Sequence, residues 1–222
     1  MTKVVERIEL NAWSISRSFA IIGVMSSSDP YEQSPAARWT RATVYSDMWV
    51  DPDDDPRESG PELADERSVL LEYLRTRRLT MQMKCDGLDD EQMARRSVPP
   101  STMSLLGMVR HLAEVERGWF RRVMAGQDLP RLFSTGDDPD GDWNGAVPDS
   151  AVVARAWQAW RDECAFADQF VADSPDLSIT GDSVDQGSIS LREVLVHMIE
   201  EYARHNGHAD LLRERIDGRV GQ

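Results

Sequence analysis

Residues 195–210 read LVHMIEEYARHNGHAD, and three of the chain's four histidines fall inside them. Just upstream, Ser190-Leu191-Arg192-Glu193 has the form of a capping box, in which Ser and Glu satisfy each other's backbone N–H groups at a helix start. Gly218 supplies a stop. The spacing predicts a helix from about residue 190 to 216. On it Glu201 and His205 lie four apart and so stand one above the other, with His197 a turn earlier. His197, Glu200, Glu201 and His205 make this helix unusually polar for a bundle. Burying them without a metal or a charged partner costs several kcal/mol.

Working outward, three more helical patterns appear. The first runs from about Pro61 to Cys85. Pro61 suits a first turn, Glu62, Asp65 and Glu66 favour the positive end of the dipole, and Gly87 ends it. Leu70, Leu74, Met81 and Cys85 form its stripe. The second follows Pro99-Pro100, capped by Ser101, Thr102 or Ser104. Its stripe is Leu105, Val109, Leu112, Val115, Trp119 and Val123, and Gly126 stops it. After a long polar connection rich in Gly and Asp, the third opens at Asp149 and runs to about Ala172. It buries Val153, Ala156, Trp157, Trp160, Cys164, Ala167 and Val171. Residues 178–180 and 187–189 form at most a short hairpin. The predicted fold is all-α, a four-helix bundle with an irregular N-terminal arm.

The first 59 residues differ in character. The run Ser26-Ser-Ser-Asp-Pro30 breaks any regular element, and Asp51 to Glu58 is acidic and punctuated by proline, favouring an extended or disordered segment. Between them Val44, Tyr45, Met48, Trp49 and Val50 are apolar enough to pack on the bundle. Met25 is an alternative start, which would make residues 1–24 an extension without a structural role. The expected organisation is an N-terminal extension over 1–59, a partly disordered arm, followed by a metal-binding bundle over 60–222.

Bulk numbers bound the function. With 41% hydrophobic and 29% charged residues the chain reads as an ordinary soluble domain, and no stretch suits a membrane span. Its net charge of −14 argues against a nucleic-acid partner, which needs a local excess of cations. The apolar segment Phe19 to Val24 is short and lacks a cleavage site, and Cys85 and Cys164 read as buried free thiols, so the expected location is cytoplasmic. The state expected is a monomer or homodimer.

His111 lies mid-way along the second helix, between apolar Met108 and Val115, so its ring faces the core. On spacing alone two readings stand. A Glu–His pair four apart is often a surface salt bridge, and a core histidine is often merely hydrogen-bonded. Alternatively the pair and His111 hold one metal ion together.

The stretches SLLGMVRHLAEVERGWF (residues 104–120) and LVHMIEEYARHNGHAD (residues 195–210) resemble two helices of the DinB-like metalloenzyme superfamily. The branch most similar includes mycothiol-dependent enzymes such as the maleylpyruvate isomerase type and thiol transferases. The similarity covers about residues 60–218. It implies a divalent metal held by His111, Glu201 and His205, the Glu-then-His pair matching the isomerase type. His208 falls where many members have Gln and would sit behind the ligands or reach the metal. A His111–His197–Glu201 set is the alternative.

Three protein ligands leave coordination positions open, the mark of a catalytic site. Two nitrogens and a carboxylate suit Zn²⁺, and also Ni²⁺ or Fe²⁺. The resemblance implies mycothiol as co-substrate: a metal-bound thiolate attacks a small electrophile, in an S-transferase or a thiol-assisted isomerase. Glu114, one turn from His111, is a candidate to orient its imidazole, as are His197 and His208 around the pair. Arg110, Arg204 and Asn206 are near enough in sequence to line a substrate cleft. The competing reading is a non-catalytic metal- or ligand-binding bundle of a stress response.

Overall fold

The computed structural model describes residues 36–58, 65–184 and 187–222. The proposed break at residue 60, the helix start at Pro61 and the alternative start at Met25 lie outside the described residues.

Four long helices carry the core: α1 (Glu66–Cys85), α3 (Leu105–Glu116), α5 (Ser150–Asp173) and α6 (Leu191–Asp217). The fold is all-α in its core but is not the strict four-helix bundle expected. Two short helices, α2 (Asp90–Ala94) and α4 (Gly141–Asn144), sit in the connections, and β1 (Thr180–Ser183) pairs antiparallel with β2 (Gly187–Ser190). Local capping explains why so short a helix as α2 persists. Asp89 and Gln92 form a reciprocal box that satisfies its first donors.

Caps and stops fall where the sequence put them on the long helices. Ser104 caps α3, Asp149 caps α5, and Ser190 with Glu193 closes the box of α6. Gly218 ends α6 at φ 82°, and a side chain there would collide with the backbone of Ala37. α1 begins at Glu66 with Asp65 as its cap.

α1 packs along α6 and α3 along α5. Leu74, Met81, Leu105, Leu112, Ala156, Leu195, Met198 and Tyr202 lie in one core cluster. At its centre is a polar knot. Arg78 grips Glu116 through two bonds of 2.7 Å, and Tyr202 Oη donates to Glu116 Oε1 at 2.9 Å. Trp160 Nε1 donates to Tyr202 Oη at 2.7 Å, and the Cys164 thiol reaches Glu116 at 3.5 Å. Every member thus has a partner, the condition under which such a buried network is tolerated. Both cysteines are buried and unpaired.

α3 continues directly as a π-helix, Arg117–Met124. Each turn of the i→i+5 pattern takes up one more residue than an α-turn, so the buried face is displaced along the sequence. Trp119 and Val123, expected in the core stripe, are half-buried against the core, and Phe120 and Met124 are buried in their place; Val115, ahead of the π-turn, is half-buried as well. Close approach of the hairpin to this segment needs Gly181, where a Cβ would collide with the Val123 carbonyl.

Residues 36–58 fold onto the C-terminal tail. Trp39 and Arg219 form a bridge, Trp49 N donates to Gln222 O at 3.2 Å, and the buried Trp49 ring lies under Arg219, 3.7 Å away. In the acidic run, Pro52–Asp54 makes a 3-10 turn, the Asp51 carboxylate accepts from the Thr43 and Val44 amides, and Asp55 pairs with Arg57. No helix among the described residues is long and apolar enough to cross a membrane.

Candidate metal centre and its flanking clefts

α3 and α6 bring His111, Glu201 and His205 to one point. One ligand atom from each lies within 4.8 Å of the others. Glu201 Oε1 sits 3.2 Å from His111 Nε2 and 3.2 Å from His205 Nε2. Donors each about 2.0–2.1 Å from one tetrahedral ion stand roughly 3.3 Å apart, so these separations suit a shared ion. The side chains are 24%, 13% and 10% exposed, burying the donors while leaving one side open. Two imidazole nitrogens and a carboxylate oxygen are a donor set for a divalent transition metal.

The electrostatics are those of a tight cluster. Hydrogen bonds from His111 and then His205 hold the Glu201 carboxyl well below the usual carboxylate range, against the effect of burial. Burial disfavours charge on His111, but its bonds to Asp142 and Glu201 outweigh this and raise its pKa to about 9. Arg204 stands 3.6 Å from the second Glu201 oxygen at the rim.

Asp142 is the residue the sequence did not single out. Its Oδ2 lies 2.8 Å from His111 Nδ1, which leaves Nε2 as the nitrogen turned toward Glu201. Such a carboxylate fixes the tautomer and orientation of a ligating imidazole. Arg110 holds the backbone that presents it, donating to Asp142 O at 2.7 Å and Gly141 O at 2.8 Å. That buried arginine is therefore a clamp and lines neither cleft beside the cluster. Trp143 stacks on the His111 ring with centroids 5.0 Å apart.

Other expected positions fall differently. The Glu114 carboxylate accepts from the Phe133 and Ser134 amides, tying the long loop to α3, and takes no part in orienting the imidazole. His208 Nδ1 is 3.4 Å from His205 Nδ1. His197 lies edge-on to Trp119, centroids 4.8 Å apart, and its ring is not in the cluster. Asn206 is buried and donates to Arg77 O.

Two clefts flank the cluster. One, of about 630 Å³, is lined by Trp119, His197, Glu201 and the turn of the hairpin at Asp182–Val184. The other, of about 300 Å³, is lined by His111, Asp142 and Trp143. Gly118, Arg122 and Arg131 border both. A cavity of about 650 Å³ beside residues 38–47 and the C-terminal tail touches none of the three clustered residues.

A family profile described as Mycothiol-S-transferase matches residues 69–218, about two thirds of the chain and all four long helices save the first few residues of α1. The chain belongs to the mycothiol S-transferase family. A comparison with curated proteins finds no match. Family membership and the His/Glu/His cluster together make this a metal-dependent thiol transferase of the DinB-like superfamily, whose substrates are a small thiol and an electrophile. The two helices whose motifs resembled the superfamily in sequence are the two that meet at the cluster.

Proposed function

We propose that His111, Glu201 and His205 hold one Zn²⁺ ion and that the protein transfers mycothiol to a small electrophile. The observation that carries this is the convergence of three ligand atoms, on two helices ninety residues apart in the chain, beside two open clefts. A divalent ion there supplies positive charge that lowers the pKa of a thiol, making the nucleophilic thiolate available near neutral pH. Zn²⁺ is preferred because it accepts mixed N/O ligands and brings no redox chemistry of its own.

The chain's own groups do the rest. Asp142 keeps the His111 imidazole in the tautomer that offers Nε2. Trp143 covers that ring on one face. The larger cleft, walled by Trp119 and reaching Glu201, accepts the substrates next to the cluster. Neither cysteine serves as nucleophile. Burial raises the Cys85 thiol to about 12, and burial together with the Glu116 charge raises Cys164 well above the usual range. Residues 60–222 form the catalytic unit and residues 1–59 an extension. The setting is the reducing cytoplasm, with no nucleic-acid partner.

The test is a thiol-transfer assay with purified, Zn²⁺-loaded protein, mycothiol and monochlorobimane. The expected result is conjugate formation that needs both metal and mycothiol. Stoichiometric metal with no conjugate above the uncatalysed rate would refute the transferase reading.

A further inference from the structure

Four arginines lie on the π-helix and the loop that follows it, and they fall into two pairs. Arg117 and Arg121 are committed. They meet Glu163 at 2.8 Å and 2.5 Å, Arg117 Nε also donates to Pro130 O at 2.9 Å, and Arg121 stacks over Phe166. Arg122 and Arg131 are not. Both line the two clefts beside the cluster, and among the described residues neither makes an ion pair or a hydrogen bond.

The fold sets where both arginines are rooted. Arg122 sits on the π-helix, whose wider turn also brings Trp119 and Val123 to the larger cleft. Arg131 follows Pro130, whose carbonyl is anchored by Arg117, itself locked to the buried Glu163. Both side chains are exposed at the cleft border, and a guanidinium there with its donors unspent is suited to a planar oxyanion, which it can meet through two parallel bonds. Asp128, Asp182 and Glu201 line the larger cleft and Glu114, Asp140 and Asp142 the smaller; Glu201, Glu114 and Asp142 are engaged by the histidines or the loop amides, and the remaining acids oppose a dianion more than a single negative charge.

We infer that the electrophile taken by this protein carries a carboxylate, bound by Arg122 and Arg131 at the border of the two clefts. This rests on the transferase reading for the reaction, but the binding step does not. The thiol sulfur is directed to the cluster of His111, Glu201 and His205, and the acceptor, held a cleft-width away by its carboxylate, presents its reactive carbon to that sulfur.

The matched acceptors are 4-chloro-3,5-dinitrobenzoate and neutral 1-chloro-2,4-dinitrobenzene. With either, a C–S bond forms as the C–Cl bond breaks, chloride leaves with the bonding pair, and the thiol proton passes to solvent. The wild type should favour the benzoate in kcat/KM by about tenfold or more, and Arg122→Gln/Arg131→Gln should lose that preference through the benzoate's KM alone. Binding of unreactive 3,5-dinitrobenzoate, followed by calorimetry with and without metal, should weaken by about tenfold in the same variant and weaken with salt. Equal selectivity in wild type, a preference that survives the double substitution, or a KM change confined to mycothiol would overturn the inference. Benzoate binding that depends on the arginines with no turnover of either acceptor supports this subsite and counts against the transferase reading instead.

Discussion

Asp142 Oδ2 lies 2.8 Å from His111 Nδ1, and this contact joins the long polar loop to the metal-ligand cluster. Without it His111 could offer either nitrogen; with it, Nε2 is turned to Glu201. Replacing Asp142 by Asn keeps the shape but removes the charge. Metal affinity should fall by about 10–100-fold. Competition against a fluorescent chelator measures it, and unchanged affinity would remove Asp142 from the account.

Glu116 is fully buried and takes both arms of the Arg78 guanidinium. Removing it in Glu116→Ala leaves the buried Arg78 with the exposed Asp168 carboxylate as its remaining ion-pair partner among the described residues. The loss should be about 3–5 kcal/mol by urea unfolding. A loss below about 1 kcal/mol would mean that Arg78 finds another partner or water, and Asp168, 2.7 Å from its other nitrogen, is the one to inspect.

The buried thiols give a pH dependence with a definite sign. Cys85 has an ordinary pKa of 9.0, raised by burial to about 12, so between these values the folded chain keeps a proton that the unfolded chain releases. The folded state then binds more protons, and stability falls as pH rises above about 9. The slope approaches about 1.4 kcal/mol per pH unit for each such thiol. Urea midpoints between pH 7 and 10.5 should show the decline, shallower in Cys85→Ala. Parallel curves for the two proteins would contradict the assignment.

Much of the site was legible in the sequence because helical spacing is a strict geometric rule. Glu201 and His205 had to share a face, and apolar neighbours turned His111 inward. Asp142 was not legible, since it is one of several acids in the polar connection after Gly126, where no period says which will meet a helix. Glu114 had the right spacing from His111 but was claimed by the amides of Phe133 and Ser134, a long-range outcome that spacing along one helix cannot foretell. The four long helices were readable from stripes and caps. The π-helix was not, because its onset at Arg117 leaves no periodic mark in advance, and it moved Trp119 from the predicted core to a cleft wall. Capping residues were the surest guide to element ends: Ser104, Asp149, Ser190 and Gly218 all stand at the helix termini their chemistry favours.

The most direct measurement is metal content per chain, by elemental analysis after dialysis, in wild type beside His111→Ala, Glu201→Ala and His205→Ala. One equivalent of zinc in the wild type, lost from each variant while helical circular dichroism is retained, is the predicted result. Full metal retained by the three variants, or none in folded wild type after zinc loading, would contradict the proposed centre.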